Sequence, residues 1–192
     1  MRVLQKGRTA IFLSFLTIFL SCSSESINLD LELNKATVSV NLIGAQAEFD
    51  LVNIEVLDVQ VKVIDDESVP NCWLSLNVNS KGIYNLLDLI DDSEANLVNS
   101  LKIPAGEIYE VKLVLGDNNT IVIDGKTLPL VMNSEHAKGL VVRTEKDLKS
   151  NTDYSFSINF DVKKSILKTN IKDRIILSPV LSVSLQTLSN GI

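Results

Sequence analysis

Few residues of this chain could do chemistry. It holds one histidine, His136, and two cysteines, Cys22 and Cys72, against 24 acidic residues. A hydrolytic triad and a zinc site both draw first on histidine. His136 has no partner motif, and the sequence contains no phosphate loop, paired metal cysteines, His-Glu-x-x-His run or Gly-x-Ser-x-Gly elbow. Two carboxylates suffice for glycoside hydrolysis, but no spacing singles out a pair. Asp65-Asp66, the run from Asp91 to Glu94 and Asp117 fall in expected turns, where acids serve as solvated turn formers. Calcium on one of these loops is the sharper alternative, although none has the spacing of the calcium-binding helix-loop-helix. The expectation is a non-enzymatic protein with no catalytic residue, no metal and no cofactor. A two-carboxylate glycan hydrolase is the least favoured alternative.

Cys22 raises a different chemistry. Arg2, Lys6 and Arg8 precede an uncharged run, AIFLSFLTIFL, that ends on Ser21 and Cys22. A bilayer-spanning helix needs about 20 apolar residues, so this shorter run has the layout of a secretory signal peptide. Phe19-Leu20-Ser21-Cys22 resembles the lipobox of bacterial lipoproteins, with phenylalanine in place of the commoner leucine. That resemblance implies cleavage before Cys22 and its acylation, and acyl chains at about 0.8 kcal/mol per buried methylene hold a protein on a membrane. Ser23 is not the aspartate that retains many such proteins at the inner membrane of Gram-negative cells, which points to the outer membrane, with the leaflet left open. The expected organisation is a signal peptide over 1–21, a lipidated tether over 22–35 and one domain over 36–192.

Removing residues 1–21 takes away three basic residues and no acid, which lowers the formal charge of −6 by three to −9. That charge disfavours nucleic acid and anionic surfaces as partners. With Cys22 acylated, Cys72 is left without a disulfide partner and is read as a buried structural thiol.

The elements that must position any site are strands. Apolar residues alternate with period two at Val38, Val40 and Leu42, at Tyr109 to Leu115, and at Tyr154, Phe156, Ile158 and Phe160. In LVNIEVLDVQVKVID the apolar parity changes between Val56 and Leu57, which predicts a β-bulge or bend. Asp124-Gly125 predicts a tight hairpin, and Gly116 to Asn119 is read as a turn after which Thr120 to Ile123 returns. Pro179, inside RIILSPVLSVSL, argues for an edge or a bulge. Short helices are expected only at DDSEANLVNS and at VKKSILKT, the latter capped by Asp161. The pattern as a whole predicts an all-β, antiparallel sandwich or partly closed barrel. By parity, Cys72, Leu74, Leu76 and Val78 share one face of CWLSLNVN and Trp73 lies on the more polar one. Burial of Trp73 under a loop or a second sheet is the first expectation, and an exposed stacking platform the alternative. Trp73 and Tyr84 are the candidate ligand-binding residues, while Tyr109 and Tyr154 are assigned to the core.

Taken in order, CWLSL, YNLLDLIDD, SLKIPAGEIYEVKLVL, DGKTLPLVMNSEHAKGLVV, FSINFDVKKSI and ILSPVLSV resemble the bacterial lipoprotein family called, in words, domain of unknown function four-three-eight-two. The resemblance covers about Ala36 to Leu185, and Pro104-Ala105-Gly106 and Asp161 to Ser165 are its most telling pieces. Asn133, Val141 and Asn159 depart from it. It implies an envelope lipoprotein with an immunoglobulin-like or transthyretin-like sandwich and carries over no catalytic residue. The functional expectation is a lipid-anchored, non-catalytic envelope protein that binds a glycan or a protein partner. A structural, pilus-like assembly subunit is the alternative.

Overall fold

A computed structural model of the chain describes residues 34–91, 93–132, 139–171 and 174–188. Cys22 with the expected signal and most of the tether, Asn133 and His136 lie outside the described residues. Among the described residues thirteen strands fall into two sheets, one of four strands in the order β13 (Leu181–Leu188), β10 (Asp153–Phe160), β1 (Lys35–Ile43), β5 (Ala95–Pro104) and one of nine built around β2 (Leu51–Lys62). The inward faces of both form one hydrophobic cluster, so the all-β sandwich expected from the period-two pattern is what the chain builds. The sheets are mixed, however, and the antiparallel expectation is corrected at two places. β1 (Lys35–Ile43) pairs parallel to β10 (Asp153–Phe160), and β8 (Lys126–Met132) parallel to β12 (Ile175–Leu177). Alternation fixes which face a side chain takes and carries no information about strand direction.

The core begins where the alternation does. Val38, Val40 and Leu42 of β1 are fully buried, as are Phe156, Ile158 and Phe160 of β10 beside it. Tyr154 joins them, and its hydroxyl accepts a hydrogen bond from the Lys149 amide at 2.9 Å, so a phenol in the core has its polar atom satisfied.

Strand β2 (Leu51–Lys62) carries the expected bulge. Val56 faces Leu115 of β6 (Gly106–Leu115) and Asp58 faces Val114, so Leu57 is the extra residue. It is 39% exposed while Val56 and Val59 are fully buried. The Asp58 carboxylate accepts hydrogen bonds from the Val59 amide and the Ser75 hydroxyl, which supplies partners where the ladder is interrupted.

Four local expectations are corrected. Gly116 to Asn119 does not reverse the chain. Both β6 and β7 (Thr120–Ile123) run antiparallel to β2 and on the same side of it, since Val56 has Leu115 and Gly82 as its two partners and Asn53 has Thr120 and Asn85. The chain steps out for four residues and rejoins the same edge. Buried Asn119 holds the step, its amide donating to the Gly116 carbonyl at 2.7 Å and its oxygen accepting from the Glu55 amide.

DDSEANLVNS forms no helix either. Its second half opens β5 (Ala95–Pro104), whose register on β1 slips around Val40. The slip buries Leu97 and Val98 side by side and returns Leu101 to the core side, a spacing that imitates a helical face. Tyr109 is not in the core; Ile108 takes that place, because β6 slips against β9 (Leu140–Leu148) between Ile108 and Glu110. Finally, RIILSPVLSVSL is two strands, β12 and β13 (Leu181–Leu188), in different sheets, with Pro179 between them.

Two other local signals hold. Asp124 and Gly125 both have positive φ, 50° and 72°, between β7 and β8. Asp161 caps α1 (Val162–Ser165) by accepting from the Lys164 amide at 3.0 Å, although the helix expected over VKKSILKT stops there and Ile166–Lys168 continues as the strand β11, paired with β12. Among the described residues no helix is long and apolar enough to cross a membrane.

Candidate functional site

Trp73 opens β3 (Trp73–Ser75), a short strand on the free side of β2. Directly paired residues share a face, so the registers set Trp73, Lys62, Glu110 and Arg143 in one row across β3, β2, β6 and β9 on the outer face of the large sheet. Ser75, Gln60, Lys112 and Val141 form the next row.

Lys112 reaches across β2, placing its ammonium 3.5 Å from the centroid of the Trp73 ring. Such a contact contributes about 0.5–2 kcal/mol, more as it is desolvated. Burial lowers the Lys112 pKa and neighbouring Lys62 adds to that, partly opposed by Cys72, Glu67 and Glu110.

Lys62 is only 5% exposed although it points away from the core. Its ammonium bonds Asp65 at 3.2 Å and lies 3.7 Å from Glu110 and 3.9 Å from Glu67. Burial alone would lower its pKa; the Asp65 hydrogen bond and the attraction of Glu110, Asp65 and Glu67 together raise it. Asp65 also meets Arg143 at 3.6 Å, and Arg143 pairs with Glu145. This network ties the 63–72 loop down onto the sheet, and a loop fixed by both ends and its middle makes a firm wall.

That wall closes one side of a cleft of about 510 Å³ at the end of the sandwich. Val63 and Asn71 of the loop, the Trp73 indole, Leu74, and the stretch from Pro104 to Ile108 line it. Pro104-Ala105-Gly106 is where the chain passes from β5 in the small sheet to β6 in the large one. Thus the tryptophan segment and the Pro-Ala-Gly segment, 31 residues apart between Trp73 and Pro104 in sequence, meet around one space. Its polar side chains are the Asn71 amide and the Glu107 carboxylate, set against apolar walls, a composition that suits an amphipathic ligand. Coulombic repulsion from Glu107 raises the pKa of neighbouring Tyr109.

Trp73 is half-buried, between the covered core residue and the open platform that sequence parity allowed. Tyr84 of β4 (Gly82–Asn85) is not brought to the cleft. It faces Ile54, packs on the core, and donates its hydroxyl hydrogen to the Ser80 carbonyl. Cys72 is buried and free. Sequence reasoning missed Lys112, Asn71 and Glu107, and none carries a local signal, because each acquires its role from a strand or loop distant in sequence.

The acidic turns have internal duties. Asp66 accepts from the amide and hydroxyl of Ser68, and Glu94 accepts from Asn41. Glu55 holds Asn118, whose side chain and then backbone lower the Glu55 pKa. No group of three or more His, Cys, Asp or Glu side chains able to hold a metal ion occurs among the described residues. Asp65 and Glu110 do converge, since both contact the Lys62 ammonium. An ammonium sits between them and neither lines the cleft, so they are not arranged like a glycosidase pair around a sugar.

Fold and cleft together define a two-sheet β-sandwich of mixed topology with an apolar, tryptophan-lined recess at one end. The chain belongs to the family described as Domain of unknown function (DUF4382), whose sequence profile matches residues 35–179. No curated protein and no solved structure gives a significant match.

Proposed function

We propose that this protein is a lipid-anchored, non-catalytic component of the bacterial outer membrane that binds a glycan or a protein partner through the Trp73 cleft. The observation that carries the binding reading is the half-buried indole lining a recess of about 510 Å³ beside a loop that Lys62 and Arg143 hold through Asp65. An aromatic wall with one amide and one carboxylate at hand gives a sugar ring a surface to stack on and partners for its hydroxyls. The anchor rests on the Phe19-Leu20-Ser21-Cys22 sequence behind a basic, apolar leader. Mass spectrometry of the mature N-terminus tests the anchor and a glycan and envelope-extract binding screen tests the ligand. An unmodified Cys22, or no binder that depends on Trp73, would defeat the respective half.

A second reading, assembly through an open strand edge, draws on β13. Among the described residues that strand pairs only with β10 and lies at the edge of its sheet, and it has no charged residue from Leu181 to Leu188. Uncharged edges lack the usual protection against pairing with another chain. Sedimentation at high concentration discriminates: a monomer throughout removes this reading.

A further inference from the structure

We infer that the Trp73 cleft takes the uncharged saccharide headgroup of a lipid in the same membrane that holds the protein. This deepens the glycan reading and rests on acylation of Cys22. Its first support is where the chain enters the fold. The Asn34 carbonyl accepts a hydrogen bond from the amide of Ala105, a cleft-lining residue, at 2.9 Å, and Lys35 pairs with Pro104. The cleft therefore opens at the end of the sandwich from which the tether departs. From Cys22 to Asn34 the chain can span at most about 43 Å, at roughly 3.6 Å per residue. The opposite end of the sandwich lies a further ~36 Å away along the 12-residue β2. A soluble ligand gains nothing from this placement, whereas one anchored in the same bilayer meets the cleft at a high effective concentration.

Charge and shape select the headgroup. Glu107 stands in the cleft and no Lys or Arg is among its described lining residues, so a phosphate meets a like charge there with no cation to bind it. An ammonium headgroup would seek the face of the indole, but the Lys112 ammonium, 3.5 Å from its centroid, repels a second cation there. A neutral sugar ring meets neither obstacle. Its C–H face packs on Pro104 and on the part of the Trp73 indole that Lys112 leaves uncovered, and its hydroxyls reach Asn71 and Glu107.

Trp73 is the only tryptophan of the chain, so intrinsic fluorescence reports on the cleft directly. The full acylated protein is placed in phosphatidylcholine vesicles with and without a neutral glycosyl diacylglycerol. The expected result is a saturable change in Trp73 emission with the glycolipid alone, with half-saturation weakened roughly 3- to 10-fold by Glu107→Gln in a variant whose thermal melt matches the parent. An equal change in plain phosphatidylcholine vesicles overturns the inference as mere bilayer adhesion. A change with a soluble oligosaccharide and none with the glycolipid overturns the headgroup assignment while leaving glycan binding intact. Silence with both ends the two together, and a Cys22 without acyl chains removes the basis of the inference whatever the fluorescence does.

Discussion

Gly44, in the connection between β1 and β2, offers the sharpest test of the packing. A methyl group there would land on the Leu86 carbonyl oxygen and 2.8 Å from its carbon. These are backbone atoms of a 3-10 turn at Leu86–Asp88, whose first residue is fully buried. No rotamer change can relieve the clash, so either the turn or the β1–β2 connection must move. Moving either strains the hydrogen bond from the Gly44 amide to the Leu89 carbonyl, 2.6 Å long. Overpacking costs about 1–3 kcal/mol, and a lost hydrogen bond about 1 kcal/mol more. Gly44→Ala should therefore destabilise by about 3 kcal/mol, which for a domain of this size lowers the melting temperature by about 6–12 °C. The comparison is Gly125→Ala, where φ is +72° but nothing lies within 4 Å of the added carbon. Conformational strain alone should cost about 1–2 kcal/mol there. Urea titrations of both variants, followed by far-ultraviolet circular dichroism, measure the two costs. A Gly44→Ala protein as stable as the parent, or less affected than Gly125→Ala, would refute the close approach of these backbones.

The β2 bulge predicts that Leu57→Ala changes stability by less than about 0.5 kcal/mol, while Val59→Ala costs about 2–3 kcal/mol, measurable in the same titrations. Asp161→Ala should remove the α1 cap at a cost of about 1 kcal/mol. The contact with the Lys164 side chain, and then with its amide, lowers the Asp161 pKa. The carboxylate's contribution is therefore full above its unfolded pKa and fades as pH falls through the lowered folded value, so parent and variant should converge in acid. Lys62→Met should leave the core intact yet increase proteolysis and hydrogen exchange in the 63–72 loop. Since the Lys62 pKa is raised, its contribution persists below the unfolded value and disappears only as pH rises through the still higher folded one. Trp73→Ala should abolish cleft binding in a glycan screen while the protein remains folded, because the indole lies outside the buried cluster.

How far the fold was legible can be followed residue by residue. The bulge after Val56 shows as a break in alternation, the Asp124-Gly125 turn as a dipeptide suited to positive φ, and the α1 cap as Asp161 ahead of Val162. Each is decided within a few bonds, by pleat geometry, glycine's freedom or a side chain reaching the next turn. The same logic misled where a slip reset the parity. Leu97, Val98 and Leu101 gave a helical spacing in a strand, and Tyr109 occupied the expected core phase while Ile108 was turned inward. The face of Trp73 was legible from its neighbours in CWLSLNVN, but the cleft was not.

The sequence by itself determined that the chain would build sheets, which residues would face one another's core, where it would turn tightly and what could sit at its leader, because those properties depend on neighbours two to four residues apart. Only the tertiary structure decided that β1 and β10 run parallel, that β7 continues along the edge β6 began, and that Lys112, Glu107 and Trp73 gather at the end where Asn34 enters. Strand partners are chosen by competing long-range burial across the whole core, and a side chain's alternation states its face without naming what will lie beside it.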